Sequence, residues 1–326
     1  MPNPTRQNIH VNAMLTNISI AYIQKASSFV AGQVFPIVPV QKQSDRYFLY
    51  KKEDWFRDEA MKRKQGAESA GGGYEIDNTP NYFCETWAYH KDVTAEDRAN
   101  ADKPLNPDRD ATQFVSQKLL VRREIDWVSK FFATSLWSTE YTGAASTSGT
   151  NRKYWGASDS DPISDVADAQ IAIQSETGYK PNVMVVGPRV HKELKQHPDI
   201  LDRIKYTQRG IITRDLLAAL FEVDKYLVAE GVKNTAAKGD TEDTDFIAGK
   251  HALLAYSAPS PGIKQPTAGY TFSWTGLLGA GAFGNRIVTI DMPWLGLGTR
   301  RIEGEMSYDC KLVAADLGAF FNGIVE

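Results

Sequence analysis

The strongest structural constraint in this chain is a run of nearly thirty residues with a helical pattern of apolar side chains. From Asp110, the stretch DATQFVSQKLLVRREIDWVSKFFATSLW spaces large apolar residues by seven, four, three and four: Phe114, Val121, Ile125, Val128 and Phe132. This spacing predicts one continuous helical face, with Asp110 or Thr112 as the N-terminal cap. At about 1.5 Å per residue, a helix from 110 to about 138 would be on the order of 40 Å long. We expect it to lie against a sheet or a neighbouring chain.

Residues 44–92 predict two extended runs that flank a polar tip. The outward run carries aromatic residues and YFCETWAYHKDV forms the return, with RDEAMKRKQGAESAGGG between them. A connection of this length is much longer than an ordinary hairpin loop and is commonly functional or disordered. The triple glycine at 71–73 lacks the Gly-Lys-Ser/Thr that a phosphate loop requires.

The remainder of the chain divides into an N-terminal segment and a region of alternating helices and strands. Residues 1–43, with Pro36 and Pro39, predict either an arm that lies on another surface or a first strand within the same domain. TGAASTSGT at 142–150 predicts a flexible connector, and a helix that ends at Gly178 follows it. Short helices and strands then alternate until about residue 246, after which strands predominate.

Composition and charge exclude several classes of protein. The 326 residues are 42% hydrophobic and 24% charged, and 37 basic against 40 acidic residues give a net charge of −3. These are values of a folded protein with no charge excess that would indicate a nucleic-acid or membrane partner. The two cysteines, Cys84 and Cys310, predict no disulfide framework and fit a reducing compartment. We expect neither a secretory signal nor a membrane span.

GAGAFG at 279–284 has the G-x-G-x-x-G spacing of a dinucleotide-binding turn, and Glu303 and Glu305 follow about twenty residues later. That motif works only where a helix follows, because the helix N-terminus meets the pyrophosphate. NRIVTID follows instead, and its β-branched alternation predicts a strand. We therefore interpret the glycines, Gly281 among them, as a turn or hinge between two strands.

No catalytic, cofactor or metal site is predicted, and we expect that the protein is not an enzyme. His191 and His197 would lie on different sides of a helix that Pro198 interrupts, and neither H-E-x-x-H nor a Cys/His cluster occurs. The nucleophile elbow G-x-S-x-G is missing. In VMVVGPRVHKEL, Pro188 has no amide to offer a phosphate, so a structural turn is favoured.

Four stretches resemble tailed-bacteriophage major capsid proteins of the HK-ninety-seven-type fold. They are PNVMVVGPRVHKELKQHPDILDRIKYT, FIAGKHALLAYSAPSP, AGYTFSW and KLVAADLGAFF. The resemblance implies an α+β fold with an N-terminal arm at 1–43 and an extended hairpin loop at 44–92. A peripheral domain with a long spine helix would comprise 93–141 and 252–310, and an axial domain would comprise 142–251 and 311–326.

The resemblance implies a structural subunit that self-assembles into hexamers and pentamers of an icosahedral head enclosing double-stranded DNA. Its partners would be a scaffolding protein, a portal, a decoration protein, and DNA through weak contacts, without a membrane. The location would be the virion capsid, assembled in the host bacterial cytoplasm, and Met1 favours a separate scaffolding protein over a removed segment. The hairpin aromatics Tyr47, Phe48, Tyr50, Trp55 and Phe56 would be buried between subunits.

Two alternatives and one modification remain open at this stage. The alternatives are an encapsulin-like cellular nanocompartment shell, which would hold enzymes, and a nucleotide-binding enzyme that uses the glycines at 279–284. In some relatives of this type the shell is cross-linked through lysine and asparagine side chains. Lys62 and Lys64 lie at the predicted hairpin tip, where ordinary solvated lysines are the favoured interpretation.

Overall fold

The computed structural model describes residues 23–102, 105–204, 212–262, 264–278 and 285–326. The first part of the predicted arm, residues 1–22, and the glycine motif at 279–284 lie outside the described residues.

The first half of the chain forms short strands, a hairpin and the long helix. In chain order these elements are β1 (Ile37–Val40), β2 (Ser44–Arg46), β3 (Leu49–Tyr50), α1 (Lys52–Phe56), β4 (Ile76–Asp77), β5 (Asn81–Phe83), β6 (Glu85–Val93), α2 (Ala95–Asn100) and α3 (Pro107–Phe131).

The second half alternates helices and strands before it ends in strands. Its first elements are β7 (Thr139–Ala144), β8 (Asn151–Lys153), α4 (Pro162–Thr177), β9 (Val183–Val186), α5 (Pro188–Gln196), α6 (Pro198–Ile204), α7 (Arg214–Leu220) and β10 (Lys225–Val228). They are followed by β11 (Val232–Asn234), β12 (Thr244–Phe246), β13 (Ala252–Ala255), β14 (Gly269–Trp274), α8 (Thr275–Leu278), β15 (Arg286–Asp291), β16 (Arg300–Leu312) and β17 (Gly318–Asn322).

The first sheet is built around the long strand β16. β6 pairs antiparallel along one side of it. On the other side, β15 pairs with the first half of β16 and β14 with the second half, and β1 joins β14 in parallel. Alternate residues of β16 face α3, and the most deeply buried of them are Ile302, Met306, Tyr308 and Cys310.

A glycine in β16 sets the distance between the sheet and α3. A Cβ atom at Gly304 would lie 2.6 Å from Cγ1 of Val115 and 2.8 Å from Cδ1 of Leu119. Both distances are below the closest normal approach of carbon atoms, which is near 3.5 Å. The absence of a side chain at this position therefore lets the helix lie directly on the sheet.

The long helix begins earlier and ends earlier than its apolar pattern predicts. Its cap is Asn106, whose side chain accepts a hydrogen bond from the Arg109 amide (3.1 Å), and Pro107 is the first helical residue. It ends at Phe131, where the Trp137 indole N–H donates to the Phe131 carbonyl (2.8 Å). Ser135 then turns the chain with φ 61°.

The predicted apolar face of α3 is correct in the second half of the helix, where Val128 is buried and Ile125 and Phe132 pack against the core, and it is wrong at the start of the helix. Phe114, predicted to be buried, is 41% exposed, whereas residues at a spacing of four are buried: Ala111, Val115, Leu119, Trp127 and Phe131. The reason is the close approach at Gly304, which small side chains on the helix allow. Phe114 instead packs edge-on against Tyr89 at the border of the sheet, 5.8 Å between ring centroids.

A buried carboxylate joins the N-terminal segment to α3. The two oxygens of Glu124 accept hydrogen bonds from the amides of Val30 (3.0 Å) and Ala31 (2.9 Å). Phe35 packs on Phe131 with ring centroids 4.7 Å apart. Burial raises the pKa of Glu124, and the two amide hydrogen bonds oppose that rise. The part of the predicted arm from about 29 to 40 thus packs within its own subunit, and β1 is a strand of the first sheet.

The second sheet has the strand order β10-β9-β13-β17-β7-β8 and is covered on both faces. Alternate residues of β9 point to opposite sides: Val183 and Val185 face a core shared with α3, while Met184 and Val186 face the helices α4 to α7. The helix predicted to end at Gly178 does so, since Gly178 adopts φ 74° and its amide donates to the Gln174 carbonyl.

The flexible connector predicted at 142–150 is partly wrong. Residues 142–144 belong to β7, which pairs in parallel with the C-terminal strand β17. Small residues there carry no strand signal. Thr142 pairs with Asn322 of β17, 180 residues away, whereas Gly143 and Ala144 pair with β8. The predicted division into peripheral and axial domains remains a proposal. We amend it at two points, since β13 (252–255) and residues 139–141 of β7, both placed in the peripheral domain, pair within the second sheet.

Replacement of Glu124 by alanine tests the attachment of the N-terminal segment. The change leaves two buried amides without an acceptor, so we expect the free energy of unfolding to fall by about 2–4 kcal/mol. Urea denaturation of the unassembled subunit measures this loss. Gln113→Ala, an exposed change on the same helix, is the matched control, and equal stability of the two variants would contradict the assigned role.

His191 gives a pH-dependent contribution to stability with a defined sign. Its Nδ1 lies 3.1 Å from the Tyr226 hydroxyl, and burial, with Arg214 and Lys195 nearby, lowers its pKa to about 4. The neutral ring therefore stabilises the fold fully above the unfolded pKa of about 6.5, and this contribution is lost as the pH falls from there towards 4.

We expect His191→Gln to reduce the loss of unfolding free energy between pH 7 and pH 4.5 by about 1–2 kcal/mol, after allowance for partial exposure. Urea denaturation at the two pH values measures the difference. His90→Gln in the other sheet serves as the control, and a pH dependence unchanged by His191→Gln would rule out the effect.

Candidate assembly surface

The hairpin at 44–92 is anchored at its base by a buried carboxylate. β2 pairs with β5 and β3 with β4, so the two arms run antiparallel towards the polar tip. At the base, Asp309 of β16 accepts hydrogen bonds from the Phe83 amide (3.0 Å) and the Lys130 ammonium (3.1 Å). The same carboxylate therefore ties the hairpin to both the sheet and α3.

The five aromatic residues predicted to contact neighbours divide into three groups. Tyr47 packs within the subunit against Phe272, with ring centroids 5.5 Å apart. The rings of Tyr50 and Trp55 pack edge to face near the tip. Phe48 and Phe56 are 68% and 60% exposed, so burial of these two rings between subunits remains a prediction.

The lysines considered for cross-linking lie where the sequence predicts, at the exposed tip. Lys62 and Lys64 are both exposed, within a short basic run that also contains Arg63. Nothing in their surroundings distinguishes them from ordinary solvated lysines.

A second apolar surface, which the sequence analysis missed, lies along β15 and the turn after it. We call it the edge patch: Ile287, Val288, Ile290, Trp294, Leu295 and Leu297. All six residues of β15 are exposed, and within the described residues β15 pairs on one side only. Trp294 is 71% and Leu297 92% exposed. The signal was present in PWLGLG, where large apolar residues stand in a turn.

The surroundings of the glycine motif match a turn before a strand. The motif itself is outside the described residues, but β15 follows it, as predicted, where a dinucleotide site needs a helix. Glu305 pairs with Arg286 (2.7 Å) and Glu303 lies opposite Val288 in the sheet. Glu305 thus forms an ion pair across the two strands, and both acidic residues lie in β16.

Ser160, His197 and Asp199 come together in an arrangement like a catalytic triad that the sequence did not indicate. His197 Nε2 lies 3.0 Å from Ser160 Oγ. The Asp199 amide donates to His197 Nδ1 (3.3 Å), which makes Nδ1 the acceptor and Nε2–H the donor. Ser160 Oγ then donates to the Ala157 carbonyl (2.7 Å). Because the imidazole cannot accept the serine proton and both side chains are buried, the cluster is structural.

The turn at Gly187 and Pro188 is structural as well. A Cβ atom at Gly187 would lie 2.2 Å from the Gly249 carbonyl oxygen, so glycine is needed for close packing. His191, in the helix that follows, lies beside Tyr226 and apart from the His197 cluster.

Metal ligands, thiols and membrane helices give no further site in the described part of the chain. Within the described ranges, no group of three His, Cys, Asp or Glu side chains is placed to hold a metal ion. Cys84 and Cys310 are free and buried, and burial raises the pKa of each thiol to about 12. No described helix is long and apolar enough to cross a bilayer.

Sequence comparison relates the chain to phage capsid proteins. Residues 137–268 match the family described as phage major capsid protein E. A protein named major capsid protein from Burkholderia phage BcepMu is 28% identical over 267 residues, 80% of this chain and 82% of that relative. A second of that name, from Pseudomonas phage JBD67, is 27% identical over 319 residues, 97% of each chain.

Structure comparison gives the same fold. A phage-related protein from Bordetella bronchiseptica RB50 superposes with a TM-score of 0.68 at 21% identity, over 92% of this chain and 94% of that one. The capsid of cyanophage P-SCSP1u gives 0.60 at 10% identity, over 97% and 93%. An encapsulin from Synechococcus elongatus PCC 7942 gives 0.57 at 12% identity, over 96% and 94%. At these identities the structures establish the fold, and the named phage relatives favour a capsid over an encapsulin.

Together the comparisons confirm the predicted resemblance to tailed-phage major capsid proteins, the HK-ninety-seven-type α+β fold and the function of a structural capsid subunit.

Proposed function

We propose that this subunit closes into hexamers and pentamers that tile an icosahedral phage head around double-stranded DNA. The observation that carries the proposal is the pair of unlike apolar surfaces, the hairpin rings and the edge patch. Large exposed apolar patches typically mark interaction sites. A contact between two different surfaces of identical chains is head-to-tail, and such contacts close into rings when the rotation between neighbours permits.

The hairpin supplies one half of this contact. Its base is fixed by Asp309, while Phe48 and Phe56 are largely exposed at the mouth of the groove between the hairpin and the body. Exposed aromatic rings contribute much of the free energy of protein interfaces when they are buried on association. In the assembled head these two rings contact the neighbouring subunit.

The edge patch supplies the other half. In β15 the backbone groups on the outer side have no strand partner among the described residues, and exposed edges of this kind pair readily with another chain. Charged pairs lie beside the patch, such as Arg300 with Asp291 (3.2 Å) and Arg286 with Glu305. They leave Trp294 and Leu297 as its apolar centre.

The remaining partners follow from the proposed head. They are a scaffolding protein, a portal, a decoration protein and DNA. The DNA would be held by confinement, since a net charge of −3 offers little general attraction for phosphates. We place assembly in the host bacterial cytoplasm and the mature protein in the virion. The absence of enzymatic activity, which suits a structural subunit, belongs to the same proposal.

Removal of either apolar surface should prevent assembly without unfolding the subunit. The test uses two double variants, Phe48→Ser with Phe56→Ser on the hairpin and Trp294→Ser with Leu297→Ser on the edge patch. Expressed with its scaffolding protein, the unaltered chain should form particles hundreds of ångströms wide, and each double variant should reduce their yield on the order of tenfold or more. Electron microscopy and sedimentation measure the yield.

Ile171→Ser is the matched control, because Ile171 is 64% exposed on α4, a helix that covers the second sheet. The control should assemble normally. Normal particles from both double variants would refute the assigned surfaces, and a chain that stays monomeric under all conditions would refute the shell itself.

A further inference from the structure

Three aromatic rings of the hairpin surround the ammonium group of a lysine from the body of the same subunit. Lys264 Nζ lies 5.4 Å from the ring centroid of Tyr50, 5.5 Å from that of Trp55 and 5.9 Å from that of Tyr74. All three distances are within the range in which a cation is attracted to an aromatic face. We call these three rings the cage.

The hairpin itself holds the cage together. Its rings contact one another, with centroids 5.5 Å apart for Trp55 and Tyr74 and 5.9 Å for Tyr50 and Tyr74. The Asp54 carboxylate accepts a hydrogen bond from the Glu75 amide (2.8 Å), which joins α1 to the returning arm next to Tyr74. The cage is therefore a feature of the hairpin, whether or not a cation occupies it.

The lysine is presented by a loop in an unusual conformation. Lys264 lies between β13 and β14 and has φ 62°, in the left-handed region that non-glycine residues seldom adopt. Such a conformation persists where the surrounding contacts favour it. Here the side chain extends from the body to the cage.

The tip crosses an open groove to reach this lysine. A groove of about 1370 Å³ separates the hairpin from the body, with Tyr47 and Leu49 on one side and Tyr179 and Val313 on the other. The cage with Lys264 is one contact near the tip across this gap, and an ion pair between Lys52 and Asp316 is another. Polar contacts at exposed positions are weak and readily exchanged, which suits a contact that opens.

We propose that Lys264 and the cage form a latch that holds the hairpin of the free subunit against its own body. The latch opens when the hairpin moves onto a second copy of the chain. The opening of the latch rests on the proposed function, whereas the closed latch concerns the isolated subunit alone. The latch keeps the hairpin from contacting neighbours too early, so it opposes the first steps of assembly.

Distance measurement between two spin labels tests the latch in the free subunit. Ser69→Cys at the tip and Ser175→Cys on α4 provide exposed labelling sites, and the native Cys84 and Cys310 are too deeply buried to compete. The labelled chain should give one narrow distance distribution. Lys264→Met, which keeps the side-chain length and removes the charge, should lower the ratio of latched to open hairpins by about three- to tenfold.

Two further variants distinguish the cation from the loop. Lys264→Arg retains a cation and should keep the narrow distribution, whereas Trp55→Leu removes a ring and should broaden it as Lys264→Met does. Lys238→Met, an exposed lysine in another loop, is the matched control. An unchanged distribution in Lys264→Met, or equal release by Lys264→Arg, would overturn the latch.

Assembly measured on the same variants tests the role of the latch. Lys264→Met should form particles at a subunit concentration about threefold lower than the unaltered chain. If the hairpin is released and that concentration does not fall, the latch does not oppose assembly and that part of the proposal is wrong. If no chain forms particles, the unaltered one included, the proposed function fails, and the distance measurement still decides on the latch.

Discussion

The contact of α3 with β16 at Gly304 is the constraint on which the rest of the structure depends. Without a side chain at Gly304, Val115 and Leu119 reach the backbone of the sheet. The helix then continues into the core shared with the second sheet, where Trp127 and Phe131 are fully buried. Because Glu124 projects from the same helix to two amides of the N-terminal segment, one rod aligns both sheets and the start of the described chain.

This arrangement also explains which surfaces remain exposed. The helix covers β16 and β6, so the outermost strand β15 receives no cover on either face. The hairpin leaves the sheet beyond Asp309, whose carboxylate connects its base to α3 through Lys130. Phe48 and Phe56 of the hairpin and the apolar residues of β15 lie outside the subunit's own core, and in the proposed head a second copy of the chain would cover them.

Sequence patterns predicted the elements well where the signal was local. The helix that Gly178 ends, the strand at 183–186 and the helix that Pro188 begins were all predicted, because their caps and breakers lie within a few residues. The exposure of Phe114 at the start of α3 was not predictable, since the approach of that part of the helix to the sheet depends on Gly304, almost 190 residues further along the chain. The same holds for β7, whose partner is the C-terminal strand. The edge patch was missed because the sequence pattern of an apolar strand is the same whether or not another element of the fold covers it.

Hydrogen–deuterium exchange on free subunits and on assembled particles tests the central claim most directly. We predict that the amides of residues 286–291 that do not pair with β16, and those of the hairpin around Phe48 and Phe56, exchange rapidly in the free subunit and are protected in particles, whereas β9 is protected in both. Rapid exchange of β15 and the hairpin in intact particles would contradict the account, because the two apolar surfaces would then not be the contacts that build the shell.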